Sequence, residues 1–174
     1  RSTLFPYTTL FRSSTDVLLS TPTTRTRMLA TAMAAQATLI ALVTGLTGLG
    51  IWGGVQLGSM GLATENVAGA TAHLLALGLF IGSAALLAVA ALGTPAAATW
   101  TATGVGLVGY VINTTMPMNP GLADWARISP FHWYGAASPL ENGADWGHVA
   151  ILLAGSVVLL AASFPLFTRR DLRV

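Results

Sequence analysis

Residues 68–92 read AGATAHLLALGLFIGSAALLAVAAL and contain no aspartate, glutamate, lysine or arginine. A membrane-spanning helix needs about 20 apolar residues, so this stretch is long enough to cross a bilayer. It lies inside a longer uncharged segment, residues 66–123, which has room for two crossings. The sequence Leu92-Gly93-Thr94-Pro95 in its middle is typical of a helix end followed by a new helix start. The segment therefore predicts two helices joined by a short turn.

Two further uncharged segments, residues 28–64 and 146–168, can each hold one more crossing. Over the whole chain 53% of the residues are hydrophobic and only 8% are charged, whereas soluble domains carry about 25% charged residues. The sequence therefore predicts an all-α membrane protein with four transmembrane helices. The predicted spans lie near residues 33–55, 68–92, 97–116 and 147–167.

The composition also excludes several kinds of site. The chain has no cysteine, which rules out disulfides and thiolate metal ligands. Its net charge of +2 is too small to indicate a nucleic-acid partner. No predicted span contains an acidic or basic residue, and proton-coupled carriers need such groups at membrane depth. We therefore predict no catalytic residues, no metal and no cofactor, and a protein that is not an enzyme.

The arginines predict the orientation of the chain in the membrane. Arg25 and Arg27 precede the first span, and Arg169, Arg170 and Arg173 follow the last one. Cytoplasmic flanks collect arginine, and an even number of spans places both flanks on one side. All eight basic residues are arginine, and alanine and glycine are abundant, which suggests a GC-rich bacterial genome. We expect a multi-pass protein of the bacterial inner (plasma) membrane with both termini cytoplasmic.

Two features inside the predicted spans are candidates for a role. Gly50, Gly54 and Gly58 are spaced by four, which places them on one helix face where another backbone can approach closely. We interpret them as helix-packing residues, and a dedicated dimer motif is the alternative. His73 lies in the second span and has no acidic partner there, so packing is favoured over a proton or substrate site.

The connection between the third and fourth spans, residues 117–146, is too apolar for a solvated loop and too rich in proline for a span. We predict short re-entrant or interfacial helices at the outer face. Asp124 and Arg127 are three positions apart and can pair on one helical turn. The potential metal ligands of this connection are His132, Glu141, Asp145 and His148. Their spacing matches no compact ligand pattern, so we predict no metal site.

The first thirteen residues, RSTLFPYTTLFRS, fit neither a signal peptide nor a regular helix or strand. A DNA sequence that encodes them in order resembles a widely used short-read sequencing adapter. We therefore expect residues 1–13 to be an artefact translated in frame, the alternative being a real amphipathic segment. The biological sequence is then residues 14–174.

Residues 14–36 read STDVLLSTPTTRTRMLATAMAAQ. This stretch resembles the segment before the third membrane helix of ABC transporter permeases of the type-2 (exporter) membrane family. In that family an acidic residue is followed by a run like LLSTP, a small polar pair, an arginine and the next helix. The resemblance implies a segment that couples the permease to its ATPase. The residues that would carry the coupling are Asp16, Leu18, Leu19, Pro22 and Arg25.

Residues 126–148 read ARISPFHWYGAASPLENGADWGH, and an apolar span and the sequence FTRRDL follow. This arrangement resembles the ending of the same permeases, with an SPF segment, a Pro-Leu-x-Asn-Gly turn, the last helix and a terminal Arg-Arg-Asp. The resemblance makes the external loop a second candidate site. Its candidate residues are Asp124, Arg127, Pro130, Phe131, Asn142 and Asp145.

The resemblance implies that residues 14–174 are part of a permease transmembrane domain, holding the last four of six helices. Such a permease pairs with a second copy or a related permease and with cytoplasmic ABC ATPase subunits, among membrane lipid. Export is the family default, and the chain has no phosphate-binding loop of its own. The alternatives are a polytopic membrane scaffold, a transporter of unrelated fold, or a membrane enzyme. A neighbouring ATPase gene would favour the permease.

Overall fold

The computed structural model describes residues 24–168. Helices make up 86% of these residues and no strand occurs among them, which confirms the all-α prediction. The adapter-like segment, most of the coupling segment and the C-terminal arginines lie outside the described residues. The helices are α1 (Arg25–Leu57), α2 (Thr64–Leu92), α3 (Pro95–Thr115), two 3-10 helices (Met116–Met118 and Ala123–Ile128), α4 (Pro130–Gly135), α5 (Pro139–Asn142) and α6 (Trp146–Thr168).

The predicted turn between the second and third spans is present at the expected place. Gly93 follows α2 in the left-handed region, with φ of 69°, and its N–H donates to the carbonyl of Val89 at 2.7 Å. Glycine adopts this conformation without the steric cost that a Cβ imposes. Pro95 then opens α3, where its missing N–H is not needed. The chain therefore reverses over two residues.

Three helices are long and apolar enough to cross a membrane: Thr26–Leu57, Thr64–Leu92 and Trp146–Phe167. They correspond to the first, second and fourth predicted spans. The third predicted span forms α3, whose 21 residues extend about 31 Å. That length matches a bilayer, but the threonines, glycines and Trp100 of α3 lower its hydropathy, and it is not among the three.

Helix α2 is the centre of the bundle, because it packs against α1, α3 and α6 and also contacts α4 and α5. Its Ala76 and Leu77 form a buried cluster with Val149 and Leu152 of α6. Five partly buried side chains close around this cluster. They are Phe80, Ile81, Phe131, Trp133 and Tyr134.

Glycines allow the long helices to approach closely, but they are not the glycines that the sequence pattern indicated. A Cβ on Gly78 of α2 would lie 2.9 Å from Ile40 Cγ2, and one on Gly155 of α6 would lie 2.8 Å from the Phe80 ring. A Cβ on Gly50 or Gly54 would meet no other atom within 4 Å in the described chain. A packing role for the Gly50 face therefore stays a prediction.

Helix α1 presents most of its circumference outward, and the exposed side chains are apolar. Leu46 is 68% exposed, for example, on a helix whose apolar window is only 11% buried. Water would penalise such a surface, whereas lipid or a second membrane helix would not. The other large exposed apolar side chains in the middle of α1 are Leu39, Leu42, Val43 and Leu49.

Candidate functional site

The segment between α3 and α6, residues 116–145, lies against one end of the bundle and is called the connecting segment below. It consists of the two 3-10 helices, α4 and α5, as the proline pattern predicted. Pro130 and Pro139 occupy the first positions of α4 and α5, where proline favours helix initiation. Two of the four short helices of this segment therefore begin at a residue suited to helix initiation.

Ser129 fixes the connecting segment to α3. Its side chain is buried, and its Oγ accepts a hydrogen bond from the N–H of Phe131 at 3.1 Å. The same hydroxyl donates to the carbonyl of Gly109 at 2.7 Å. The Phe131 ring then packs edge-on against Tyr110 with ring centres 5.9 Å apart. One serine thus caps α4 and attaches it to the middle of the preceding long helix.

Asn66 fixes the other end of the connecting segment to α2. Its Nδ2 donates to the carbonyls of Leu140 and Glu141, at 3.1 and 2.9 Å. One turn further along α2, a Cβ on Gly69 would lie 2.7 Å from the backbone nitrogen of Ala144. The two backbones therefore touch directly, and only glycine fits at position 69.

The predicted pair between Asp124 and Arg127 forms, with Arg127 Nη2 3.4 Å from Asp124 Oδ1. Both side chains are mostly exposed, and an exposed pair contributes about 0–1 kcal/mol. A firmer contact runs through the backbone of the same residue, because Trp133 Nε1 donates to the Arg127 carbonyl at 2.9 Å. The ion pair is therefore secondary to the tryptophan in positioning this turn.

Asp145 is the N-cap of α6. Its Oδ1 accepts hydrogen bonds from the N–H groups of Gly147 and His148, at 2.9 and 3.2 Å. The pKa of the Asp145 carboxyl is lowered, first by the His148 backbone hydrogen bond and then by the His148 side chain, the Gly147 backbone hydrogen bond and the His73 side chain. Asp145 is therefore a carboxylate, and its free oxygen, Oδ2, lies 3.8 Å from Nε2 of His148.

Aromatic rings surround His148. The Trp133 ring centre is 5.1 Å from that of His148, and the His132 ring centre is 6.3 Å away. Burial, His148 and Arg127 together lower the pKa of His132, burial being the largest cause. The structure thus brings His132, Asp145 and His148 together, yet no group of three potential ligands that could hold a metal occurs within residues 24–168.

His73 of α2 is fully buried, in agreement with the interpretation of a packing histidine. Its Nδ1 lies 3.0 Å from the carbonyl of Gly69, one turn back on the same helix. Its Nε2 has no hydrogen-bond partner in the described part of the chain, and neither has Nδ1 of His148. The hydroxyls of Ser83, Ser156 and Ser163 donate to carbonyls of their own helices, one turn back.

Two open grooves follow the contact between α1 and α2. One has a volume of about 430 Å³ and is lined by Gly45, Gly48, Trp52 and Thr71, among others. The other has a volume of about 350 Å³ and is lined mainly by Leu39, Val43 and Leu74. Neither groove contains a charged side chain. Their chemistry suits an apolar chain or ring rather than an ion.

Of the five predicted coupling residues, only Arg25 falls within the described helices, as the first residue of α1. Asp16, Leu18, Leu19 and Pro22 lie outside them. The structure adds Ser129, Asn66 and Gly69 to the residues that organise the connecting segment. The SPF motif singled out Ser129, whereas no local pattern marks Asn66 or Gly69, because their partners are far away in the sequence.

The fold defines a helical membrane protein, with the connecting segment at one end and apolar grooves along its side. Residues 12–168 match the family model described as the C-terminal domain of the multidrug efflux system permease Rv1217c. This match covers every helix above, and the chain therefore belongs to that family of membrane transporter permease domains. No functionally curated protein and no solved structure matches the chain.

Proposed function

We propose that this chain is the membrane part of an ATP-driven exporter of the ABC class, working with separate ATPase subunits. The observation that carries the proposal is the match of residues 12–168 to a multidrug efflux permease domain. The resemblance of residues 14–36 and 126–148 to type-2 ABC permeases supports the finer assignment. A second permease, identical or related, would complete the transport path.

The cargo fits the apolar grooves between α1 and α2. A permease that moves drug-like compounds needs apolar surface with few charges, because a charged wall would select ions. The larger groove combines Trp52 with the small residues Gly48 and Thr71. We therefore propose amphiphilic or lipid-like molecules as cargo.

In this proposal α3 also crosses the membrane, as the third of four spans in chain order, and the connecting segment faces the outside. The arginines at both ends of the chain then face the cytoplasm of a bacterial plasma membrane, as the positive-inside rule favours. Trp125 and Trp146, both exposed, would lie at the outer membrane boundary, where tryptophan is enriched.

Coupling would occur at the cytoplasmic start of α1. A short segment with Leu18 and Leu19 can enter a groove on an ATPase, with Arg25 at an acidic rim. Closure of the ATPase pair biases the permease between two packings if the segment is bound differently in each.

The test is co-purification of the permease with a candidate ABC ATPase subunit. Arg25→Glu should reduce ATPase recovery and cargo-stimulated ATP hydrolysis at least several-fold, without lowering permease abundance. Arg127→Glu is the matched control, because it makes the same charge change on the opposite side. Normal coupling in Arg25→Glu, or equal loss in both variants, would refute the coupling assignment.

A further inference from the structure

Gln36 has the only carboxamide side chain in the first predicted span, residues 33–55. The hydroxyls of Thr38 and Thr47, polar groups of the same span, each donate to a backbone carbonyl one turn back on α1. The Gln36 amide, in contrast, makes no hydrogen bond to another residue within 24–168. A polar group inside a membrane span costs free energy unless it is hydrogen-bonded. This amide therefore needs a partner from outside the described residues.

The amide is placed by a glycine on the neighbouring helix. A Cβ on Gly82 of α2 would lie 2.6 Å from Nε2 of Gln36 and 2.9 Å from Cδ1 of Ile40. Only the absence of a side chain at position 82 leaves the space that these two side chains occupy. The close approach of α1 and α2 therefore holds the amide against α2.

Beside the amide lies a small cavity of about 30 Å³, at the place where α1, α2 and α6 meet. Its lining includes Gln36, Ser83 and Leu160, one from each helix. The buried Ser83 hydroxyl donates to the carbonyl of Leu79 at 2.7 Å, and its oxygen can still accept a hydrogen bond. Gln36 is only half-buried, so its amide can be reached by a ligand.

This polar cavity adjoins the apolar groove of about 350 Å³ between α1 and α2, because Ile40 lines both. Leu39 and Val43 line the groove and are 63% and 64% exposed, so the groove is open towards the lipid. Ligand pockets for small molecules have volumes of roughly 300–1,000 Å³, and the groove falls in that range. The side chains that line the cavity and the groove are all uncharged.

We propose that the cavity and the groove together bind an uncharged amphiphile, with its hydrogen-bonding head at Gln36 and its apolar chain in the groove. The amide can donate to a carbonyl or accept from a hydroxyl, and Ser83 offers a second acceptor. A charged head would lose its hydration here without gaining a counter-charge. The inference deepens the proposed function and rests on it, because it names the class of cargo.

The position of the site along α1 suits a molecule that comes from the lipid. Gln36 lies about 16 Å along the helix from Arg25, and Thr47, at the far end of the groove, lies about 16 Å further on. In the proposed orientation the head is therefore on the cytoplasmic side and the chain extends towards the middle of the bilayer. A lipid of the inner leaflet has the same direction, so the ligand enters sideways from that leaflet.

The experiment is photo-crosslinking of the full chain in phosphatidylcholine nanodiscs. The probe is a monoacylglycerol whose acyl chain carries a diazirine, and the adducts are located by mass spectrometry. We expect saturable adducts on Leu39, Val43 and Leu74, which line the groove. Adducts confined to Leu42 and Leu46, which are exposed and line neither space, would show ordinary lipid contact and overturn the proposal.

Gln36→Leu then tests the head group, and it does not hinder insertion, because leucine makes the span more apolar. It should raise the half-saturating concentration of the monoacylglycerol about fivefold, as expected for the loss of a neutral hydrogen bond. Gln56→Leu is the matched control, because it removes an amide from the same helix outside the groove and the cavity. It should leave that concentration unchanged.

An unchanged half-saturating concentration in Gln36→Leu would overturn the proposal. Equal labelling of the native chain by an alkane or a quaternary ammonium probe with the same diazirine chain would overturn it as well. Neither measurement involves an ATPase, so a failure of the proposed ATP coupling would be seen separately from a failure of this site.

Discussion

Ser129 and Gly109 are twenty positions apart in the sequence and are joined by a hydrogen bond of 2.7 Å from the serine hydroxyl to the glycine carbonyl. The contact is possible because position 109 has no side chain. A Cβ there would lie 3.2 to 3.3 Å from Phe131, Pro130 and Ser129. The start of α4 is therefore fixed against the body of α3 rather than against its end.

Ser129→Ala removes both the cap of α4 and the bond to α3. We expect the free energy of unfolding in mixed micelles to fall by about 2 kcal/mol, since a lost cap costs about 1 kcal/mol and a buried hydrogen bond a similar amount. Ser138→Ala is the control, because the Ser138 side chain makes no capping bond to α5. Equal stability of the two variants would show that the Ser129 hydroxyl does not hold α4 against α3.

Gly69→Ala forces a methyl group into the backbone of Ala144, 2.7 Å away. The backbone at this point leads directly into the Asp145 cap, so it cannot shift freely. We expect a loss of about 1–3 kcal/mol in the same unfolding assay. Gly50→Ala, in contrast, meets open space and should be neutral or stabilise by up to about 1 kcal/mol through helix propensity. A higher free energy of unfolding for Gly69→Ala than for Gly50→Ala would contradict this account of the packing.

Asn66→Asp replaces the amide that donates to the Leu140 and Glu141 carbonyls with a carboxylate that repels them. We expect faster hydrogen exchange across residues 136–145, because the end of the connecting segment loses its attachment to α2. Asn119→Asp is the matched control. Asn119 uses its oxygen to accept from the N–H of Gly121, and aspartate retains that oxygen. Similar exchange rates in both variants would show that the Asn66 amide does not hold the connecting segment against α2.

Whether α3 crosses the membrane can be tested directly, because the chain has no cysteine. Single cysteines at Ser59, Thr94 and Gly121 lie in the turns on either side of α2 and α3. A membrane-impermeant thiol reagent should label Ser59→Cys and Gly121→Cys from one side and Thr94→Cys only from the other. Labelling of all three from one side would show that neither α2 nor α3 crosses the membrane.

The lowered pKa of Asp145 also predicts a response to acid. A carboxyl whose pKa is lower in the folded state stabilises the fold above its unfolded pKa. The stabilisation is lost as the pH falls through the folded pKa. Because the ordinary value is 3.8, the loss should occur below about pH 3.8. Thermal unfolding of the native chain should show this decline, and Asp145→Asn should show less of it.

The sequence predicted the long helices and their turns because those depend on local chemistry. A glycine after a helix and a proline at the start of the next are local signals, and Gly93 and Pro95 provide them between α2 and α3. The SPF motif likewise contains Ser129, the cap of α4. The pair of Asp124 and Arg127 follows from their spacing alone. The proposed coupling residues remain predictions.

The packing glycines could not be predicted in the same way. Gly50, Gly54 and Gly58 form a regular pattern, but the close contacts between helices and segments occur at other glycines. These are Gly48, Gly69, Gly78, Gly82 and Gly155. Their importance depends on which backbone or ring lies opposite, and that is decided by the fold. Asn66 is similar, because nothing in the sequence relates it to the Leu140 and Glu141 carbonyls, more than seventy positions away.

Helix α1 has 33 residues and is therefore about 50 Å long, whereas the hydrocarbon of a bilayer is about 30 Å thick. Its close contacts with α2 extend from Gln36 to Gly48: Gln36 lies on Gly82, Ile40 on Gly78 and Gly48 on Thr71. A displacement at the Arg25 end would therefore act on the whole line of contacts. The groove beside Trp52, which Gly48 and Thr71 help to line, would change its width with it.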